Sequence, residues 1–381
     1  MGVRRSDVRE SLGSRRTGEG ATVMNVGLGL YRHMLTEDNV RFARQAGATH
    51  IVAHLVDYFG DGPRIPDSIA AGSGWGPTHR VGKPWTLEEI ASVKTLVENE
   101  GLTLHAIENL DPGHWYDVLL DGPRRDEQLE GVLDTIRMLG ELGIPCLGYN
   151  FSLAGVWGHV RGPYARGAAE SVGVDLEMLG QQPEIPLGQV WNMTFDPAAP
   201  AGSLGEVTAD TVWARYESFL AAAVPVAERA GVRLCAHPDD PPAAQLRRTA
   251  RVLTTPHAMQ RLLDVVPSPS NGLDFCQGTV AEMPGHDIYA TIARFARQDR
   301  IGYVHFRNVV GQSPRYHEVF LDEGDVDMLR AARTYADNGY DGVVIPDHTP
   351  HMTCAASWHA GMAFALGYMS ATFRAVADGR R

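Results

Sequence analysis

Four side chains of types that bind transition metals each stand at the end of a short apolar segment. They are His237 in LCAHPDDPP, Cys276 in LDFCQG, His305 in YVHFRNV and Asp347 in VIPDHTP. Imidazole, thiolate and carboxylate donors together suit a borderline divalent ion such as Mn²⁺, Fe²⁺, Co²⁺ or Zn²⁺, whereas Mg²⁺ and Ca²⁺ prefer oxygen ligands. The pattern predicts a metal site, provided that the four segments end close together in space.

Each of these residues has a structural alternative when it is taken singly. A histidine at a strand end is commonly a hydrogen-bonded structural residue, and a buried cysteine is commonly part of the packing. Four donors at the ends of four successive apolar segments are much harder to obtain by accident. We therefore interpret Cys276 as a metal ligand, whose sulfur the ion would keep deprotonated.

Residues beside these donors extend the predicted site. His348 directly follows the last donor, where a histidine can serve as general acid or base. Arg307 lies on the same side of its strand as the donor in YVHFRNV and can bind a substrate carboxylate through two hydrogen bonds. Asp239 and Asp240 are alternative partners that would orient His237 or Arg307. Ordinary caps and ion pairs remain the alternative for all of them.

The predicted site requires strands whose ends converge, and the chain has the corresponding pattern. From about residue 23, short apolar segments rich in β-branched residues alternate with amphipathic segments of helical length, as in βα units of a parallel sheet. The predicted strands are 23–30, 50–56, 102–108, 145–151, 232–237, 272–276, 301–306 and 342–347. Eight strands close a barrel whose strand ends meet at one rim. The predicted fold class is α/β, a (β/α)8 TIM barrel with loop and helical insertions on the C-terminal face.

The segments between the predicted strands carry the signals that start and stop helices. Thr86 and Glu89 form a capping box in TLEE. Glycine follows the helical segment and precedes the next strand in QAGAT, GELGIP, RAGVR and DNGYDG. This recurrence of helix, glycine and strand supports the barrel.

The alternation predicts a single domain with two interruptions. Residues 23–381 are assigned to one TIM barrel, and residues 1–22 to a disordered leader. The interruptions are residues 57–85, rich in Gly and Pro, and a longer insert at about 152–209. Long βα connections lie on the face of a barrel that carries its chemistry, so both are candidate lids. A variable surface insert is the alternative for each.

The overall composition limits the classes of partner. A formal net charge of -12 and a pI near 5.7 argue against nucleic acid or an anionic membrane as the main partner. The four cysteines lack paired spacing, which is typical of a reducing compartment, and we find neither a secretory signal nor a long apolar run. We therefore expect a cytoplasmic homo-oligomer that acts on a small molecule.

Three common enzyme signatures are missing from the sequence. The glycines of GLG at 27–29 do not complete a dinucleotide-binding fingerprint, and no P-loop pattern occurs. The G-x-S-x-G elbow of a Ser-His-Asp hydrolase is also absent. The sequence thus does not support a nucleotide-binding protein or a serine hydrolase of these types.

At the residues described above, the chain resembles the mannonate dehydratase family, whose members are xylose-isomerase-like TIM barrels. The resemblance is strongest in the second half, in HPDDPP, GLDFCQG, the segment 285–309, GDVDM and PDH, in that order. The first half shares QAGAT and the YNF at 149–151. The combination of HPDDPP, FRNV and PDH is fairly specific to this family within its superfamily.

The resemblance implies a metal, a reaction and roles for individual residues. It implies that the four donor residues bind Mn²⁺, with Fe²⁺, Co²⁺ or Zn²⁺ as other possible ions. It also implies that Arg307 lies beside the substrate and that His348 is catalytic. The implied reaction is the loss of water from D-mannonate to give 2-keto-3-deoxy-D-gluconate, a step of hexuronate degradation.

The chain departs from the family's pattern in the substrate pocket. Well-known members have a catalytic tyrosine after PDH, whereas residues 351–369 here contain His351 and His359 before Tyr368. Either histidine is expected to replace that tyrosine, and we name His359 as the third catalytic candidate beside His348 and Arg307. The metal motifs are therefore matched better than the pocket, which leaves the exact substrate open.

Two other classes of function remain open from the sequence. A metal-dependent sugar isomerase, epimerase or keto-glycoside lyase on the same barrel would also need removal of an α-proton. A non-enzymatic protein could use the barrel and its metal to sense a ligand. The second class is disfavoured by His348, since a pure binder has no need of a base beside its metal.

Overall fold

A computed structural model of the chain describes residues 24–56 and 80–379. Its strands are β1 (Asn25–Tyr31), β2 (His50–His54), β3 (Thr103–Glu108), β4 (Cys146–Tyr149), β5 (Val160–Ala165), β6 (Ala169–Asp175), β7 (Gln189–Val190), β8 (Met193–Thr194), β9 (Arg233–Ala236), β10 (Gln245–Leu246), β11 (Thr249–Ala250), β12 (Asn271–Cys276), β13 (Ile301–His305), β14 (Asn308–Gln312), β15 (Arg315–Val319) and β16 (Val343–Ile345). Its helices are α1 (Glu37–Gln45), α2 (Leu87–Asn99), α3 (Pro112–Leu120), α4 (Arg125–Glu141), α5 (Ala209–Ala230), α6 (Pro256–Val265), α7 (Gln277–Glu282), α8 (Ile288–Arg297), α9 (Met328–Asp337) and α10 (Ser357–Asp378).

Eight parallel strands close into a barrel in the order β1-β16-β13-β12-β9-β4-β3-β2. The first and last strands close it, with Asn25 opposite Val343. Each strand overlaps one of the eight predicted segments, so the (β/α)8 prediction is confirmed. The apolar runs that gave the prediction are buried, as expected for strands covered on both faces by side chains and helices.

The helices begin and end where the sequence signals lie. Thr86 caps α2, and both bonds of its capping box with Glu89 are present. Helix α5 ends at Gly231, whose φ of 71° is left-handed, a conformation that glycine adopts without a steric penalty. These local signals therefore place the helices between successive barrel strands.

The insert at 152–209 contributes to a second, smaller sheet above the barrel. Its strands β5 and β6 join β14 and β15 in an antiparallel sheet of order β14-β15-β6-β5. Since β5 and β6 follow β4, and β14 and β15 follow β13, both hairpins belong to connections at the C-terminal ends of barrel strands. We call this four-stranded sheet the cover sheet.

The hairpin of β14 and β15 was not among the predicted strands. Its signal is present, because the valines and tyrosine of NVVGQ and RYHEV, which favour strands, stand on either side of a Ser-Pro turn. The segment was interpreted only as a motif following His305. The structure thus adds a strand pair that the eight-strand pattern did not require.

The barrel interior is filled by side chains from several strands. One buried cluster there consists of Val52, Ala106, Cys146, Cys235, Tyr303, Val343 and Ile345. All four cysteines are free. Within the described residues, no helix combines the length and apolar character needed to cross a membrane. The predicted leader, residues 1–22, and most of the interruption at 57–85 lie outside the described residues.

Candidate metal centre and active site

The four predicted donors lie at the C-terminal ends of four neighbouring barrel strands. Cys276 and His305 are the last residues of β12 and β13, His237 follows the end of β9 by one residue, and Asp347 follows β16 by two. These strands are adjacent in the barrel, in the order β16-β13-β12-β9. The barrel therefore brings the four side chains to one part of its rim.

The side chains are close enough to share one ion. Ligand atoms of His237, Cys276 and His305 lie within 4.8 Å of one another. The Asp347 carboxylate approaches the same group, with its Oδ2 3.4 Å from Nδ1 of His305. Asp347 has a φ of 62°, a left-handed conformation that is costly for a residue with a side chain. The turn after β16 holds this strained backbone and aims the carboxylate at the other donors.

His305 has one ring nitrogen available on the side of the other donors. Its Nε2 lies 3.1 Å from Oε2 of Glu108, a contact that fixes the proton on Nε2 when the carboxylate is ionised. Its Nδ1 faces Asp347, is buried, and has no hydrogen-bond partner among the described residues. A lone pair on Nδ1 in that position can bind a metal ion. The residues present therefore fit the divalent ion that the donor types predict.

Cys276 is held as a thiolate by its surroundings. Burial alone would raise the pKa of the thiol, but the Arg307 guanidinium and nearby imidazoles hold that pKa well below its ordinary value. Nη2 of Arg307 lies 3.1 Å from the sulfur, and the Thr279 hydroxyl donates to it at the same distance. A thiolate is the form in which cysteine binds metals.

Arg307 is buried in contacts with protein carboxylates. Its guanidinium lies 2.8 Å from Asp240, 2.5 Å from Glu318 and 3.2 Å from Asp347. Only 3% of its side chain is exposed. The predicted bidentate contact with a substrate is not supported by this arrangement, because the donors of the guanidinium already face carboxylates and the sulfur of Cys276.

Of the two aspartates in HPDDPP, Asp240 is the one that contacts Arg307. Asp239 instead accepts hydrogen bonds from the backbone of Val252 and Leu253 and lies 3.4 Å from Arg251. The expected orienting role therefore falls to Asp240, while Asp239 fixes the loop after β9.

His348 lies between Asp347 and the cover sheet. Its Nδ1 is 2.6 Å from Oε2 of Glu318, and its Nε2 is 3.2 Å from Oδ2 of Asp347. The His348 side chain is 38% exposed, whereas that of the neighbouring donor Asp347 is 11% exposed. Burial lowers the pKa of His348, but the carboxylates of Asp347 and Glu318 outweigh this and raise it. The imidazole is thus oriented by two carboxylates and still accessible.

A cavity of about 180 Å³ opens beside His348 under the cover sheet. Pockets for drug-sized ligands span roughly 300–1,000 Å³, so this one suits a smaller molecule. Its polar walls include Tyr31, His159, Arg161, Glu318, His348 and His351. The cover sheet thus supplies part of the cavity wall, which is the position expected if the insert at 152–209 covers the site.

The two histidines proposed to replace the family's tyrosine have different positions. His351 lines the cavity. His359 is absent from the cavity wall; its Nε2 lies 3.0 Å from Oδ1 of Asn39, and its ring packs against Phe42. The structure therefore does not support the catalytic assignment of His359, because its ring is held against Asn39 and Phe42 of α1.

Four aromatic, histidine and arginine residues of the insert divide between two locations. His159 and Arg161 line the cavity. Trp157 lies under Arg247, and Arg166 forms an exposed ion pair with Asp322. Only the first two can contact a ligand in the cavity.

Several polar residues at the site were missed by the sequence analysis. They are Tyr31, His54, Glu108, Asp274 and Glu318. The first three are the last residues of β1, β2 and β3, so the strand-end criterion would have found them had it been applied to all eight strands. Asp274 lies two residues before Cys276 in β12, so the two side chains point to the same face of the strand. Glu318 lies on the unpredicted hairpin.

Comparisons with known proteins agree with this architecture. The family model described as D-mannonate dehydratase (UxuA) matches residues 37–172 and 201–375. The mannonate dehydratase of Streptococcus pneumoniae strain 70585 is 30% identical over 279 residues, which cover 70% of this chain and 75% of that protein. Mannonate dehydratase 2 of Halalkalibacterium halodurans is 31% identical over 281 residues, covering 70% and 80% of the two chains.

Solved structures show the same fold. The crystal structure of mannonate dehydratase from Streptococcus suis serotype 2 superposes with a TM-score of 0.75 at 24% identity, covering 94% of this chain and 95% of that one. A structure of L-ribulose 3-epimerase has a TM-score of 0.54 at 15% identity, with 94% and 97% covered. At these identities the structural likeness concerns the fold alone. The family match over most of the sequence goes further: this chain belongs to the D-mannonate dehydratase family.

Proposed function

We propose that the chain is a metal-dependent hydro-lyase that removes water from a sugar acid, with D-mannonate as substrate and 2-keto-3-deoxy-D-gluconate as product. The observation that carries the proposal is the position of His348, which lines the cavity and lies 3.2 Å from Asp347 in the donor group. Such an elimination needs a proton-transferring group beside an electrophile, because a proton α to a carboxylate is weakly acidic. Membership of the family supports the choice of reaction.

The proposed metal ligands are His237, Cys276, His305 and Asp347. Their mixture of nitrogen, sulfur and oxygen donors and the orphaned Nδ1 of His305 support a borderline divalent ion. We take Mn²⁺ as the default, with Fe²⁺, Co²⁺ or Zn²⁺ as alternatives. When bound, such an ion supplies Lewis acidity that stabilises the negative charge developing on the substrate as the C2 proton leaves.

Protein side chains move the protons of the elimination. The C2–H and C3–O bonds break, a C2–C3 double bond forms, and the resulting enol becomes the 2-keto product. Glu318 holds Nδ1 of His348. Nε2 of His348 therefore serves as the base toward the C2 proton or as the acid toward the departing hydroxyl. Burial and the charge of Asp347 raise the pKa of Tyr31, so this cavity-lining hydroxyl keeps its proton at neutral pH and can donate a hydrogen bond to the substrate.

Arg161 is the proposed partner of the substrate's carboxylate. Among the described residues that line the cavity, it is the one with a permanent positive charge. Its guanidinium is 3.1 Å from Glu170, a carboxylate that is 53% exposed and can be replaced by a ligand's carboxylate. Arg307, from which the sequence predicted this contact, is enclosed by protein carboxylates. Arg161 is therefore proposed to bind the substrate's carboxylate in its place.

The isomerase or epimerase alternative has less support. Its support is a likeness to solved sugar epimerases such as L-ribulose 3-epimerase, which at 15% identity concerns the fold alone. The family match is to a dehydratase. No described residue of the cavity favours isomerisation over loss of water.

The proposed reaction is tested first by direct turnover. With Mn²⁺ restored, the enzyme is expected to convert D-mannonate to a 2-keto-3-deoxy acid, measured by keto-acid formation and by mass loss of one water. D-mannose, which lacks the carboxylate, is the matched control and should not react. Binding of one metal per chain with no dehydration of D-mannonate or of a panel of aldonates, but turnover of a 3-keto-glycoside, would replace the proposed reaction by the lyase alternative.

The assignment of Cys276 as a ligand predicts a loss of metal. Cys276→Ser removes the thiolate, and we expect the ion held by these four donors to be lost on dialysis. Activity should fall by more than the about tenfold that loss of a hydrogen bond to a metal ligand costs. Metal is counted by mass spectrometry of the dialysed protein. Cys354→Ser, which changes an exposed cysteine, is the control and should keep both. Full metal stoichiometry in Cys276→Ser would remove this residue from the ligand set.

The role of His348 predicts a loss of rate without a loss of metal. His348→Gln should lower kcat by about 100- to 10,000-fold, the usual contribution of a general acid or base, with the metal content unchanged. His359→Gln is the matched control, since that histidine bonds Asn39 away from the cavity, and it should retain activity. The reverse result would restore His359 as the catalytic histidine.

The role of Arg161 predicts an effect on substrate binding. Loss of a charge-assisted hydrogen bond costs about 1.5–3 kcal/mol, so Arg161→Gln should raise KM by about 10- to 150-fold, with a smaller effect in Arg161→Lys. Arg166→Gln removes an arginine of the turn between β5 and β6 that pairs with Asp322 and should leave KM unchanged. An unaltered KM in Arg161→Gln would show that the carboxylate binds elsewhere.

A further inference from the structure

An inner group of polar side chains lies in the barrel below the four donors. Asp274 is two residues before Cys276 in β12, so it faces the same side one layer deeper. Glu108 approaches from across the barrel at the end of β3. Nε2 of His305 lies 3.1 Å from Glu108 and 3.3 Å from Asp274. One ligand atom from each of the three residues lies within 4.8 Å of the others.

The polar atoms of this inner group are not satisfied by the protein. Neither oxygen of Asp274 has a hydrogen-bond partner among the described residues, although the side chain is 0% exposed. The hydroxyl of Tyr303, also 0% exposed, has none either. A Cβ placed on Gly148 would overlap that hydroxyl and lie 3.0 Å from Cγ of Glu108, so the hydroxyl and Glu108 border the same space. Unsatisfied buried polar groups of this kind are rare and costly.

The charges of the inner group indicate what kind of ligand its unpaired oxygens require. If His305 binds the outer ion through Nδ1, it cannot also be an imidazolium, and its single N–H serves Glu108. Asp274 then lacks a positive partner. A cation between the carboxylates satisfies both oxygens and both charges at once.

We propose that Glu108 and Asp274, together with the Tyr303 hydroxyl, form a second, inner cation site beneath the outer metal. Its donors are carboxylate and phenol oxygens, so the site suits a hard divalent ion such as Mg²⁺ or Mn²⁺. It differs in chemistry from the outer set, whose thiolate and imidazoles prefer a borderline ion. The inner ion fixes the Glu108 carboxylate. Because this carboxylate accepts the N–H of His305 at Nε2, the ion also fixes the orientation of the His305 ring.

The number of ions per chain tests the inner site. The full-length protein is dialysed against Mn²⁺, and separately against Mn²⁺ with excess Mg²⁺, and its metals are counted by mass spectrometry. Two ions per chain are expected for the unaltered protein, and one for Asp274→Asn. Asp38→Asn, which changes a side chain that is 95% exposed, is the matched control and should keep two. Retention of two ions by Asp274→Asn would overturn the assignment.

A crystallographic measurement on the unaltered protein covers the case in which Asp274→Asn fails to fold. Crystals grown with Mn²⁺ should show two peaks of anomalous scattering, one at the outer donors and one between Glu108 and Asp274. A single outer peak, with water or nothing between the carboxylates, would overturn the inner site and leave the outer one intact. Because both readouts count metal, failure of the inner site is distinguishable from failure of the proposed dehydration.

Discussion

Arg307 is buried at the rim of the barrel, where its guanidinium contacts groups from four separate parts of the chain. These are Cys276, Asp240, Glu318 and Asp347. Removing one partner from a buried ion pair costs about 3–5 kcal/mol, because the remaining charge has no water to replace it. The guanidinium therefore sets the positions of a metal ligand, a loop and the cover sheet together. Its own removal would deprive these carboxylates and the thiolate of the positive charge that they share.

Through Glu318, this constraint reaches the candidate acid or base. One carboxylate oxygen of Glu318 faces Arg307 and the other faces His348. Glu318 belongs to β15, which pairs with β6 of the insert, so the hairpin that covers the site also orients the candidate catalytic imidazole. A displacement of the cover sheet would thus alter both access to the cavity and the position of His348. Glu318 would thus link the proposed binding of a ligand under the sheet to the proposed proton transfer.

Much of this arrangement was predictable from the sequence, and the exceptions have physical causes. The eight strands and the four donors at their ends follow from local apolar periodicity and from the geometry of a parallel barrel. The same criterion, applied to the first strands, would have located Glu108 and Tyr31. The cover hairpin was missed because its strands follow a barrel strand where a helix was expected. Arg307 and His359 were assigned from their neighbours in sequence, which do not reveal the partners that distant segments supply.

The sequence by itself determined the barrel, its order of strands and helices, and the donor types at the rim, because these depend on periodicity and turn chemistry within short segments. Only the tertiary structure decided which polar groups meet. It buried Arg307 among carboxylates, placed Arg161 and His351 at the cavity and His359 against α1, and brought Glu108 within 3.1 Å of His305 across 197 residues. Such contacts depend on how the barrel closes and on how the cover sheet packs on it, and neither is encoded within a single local segment.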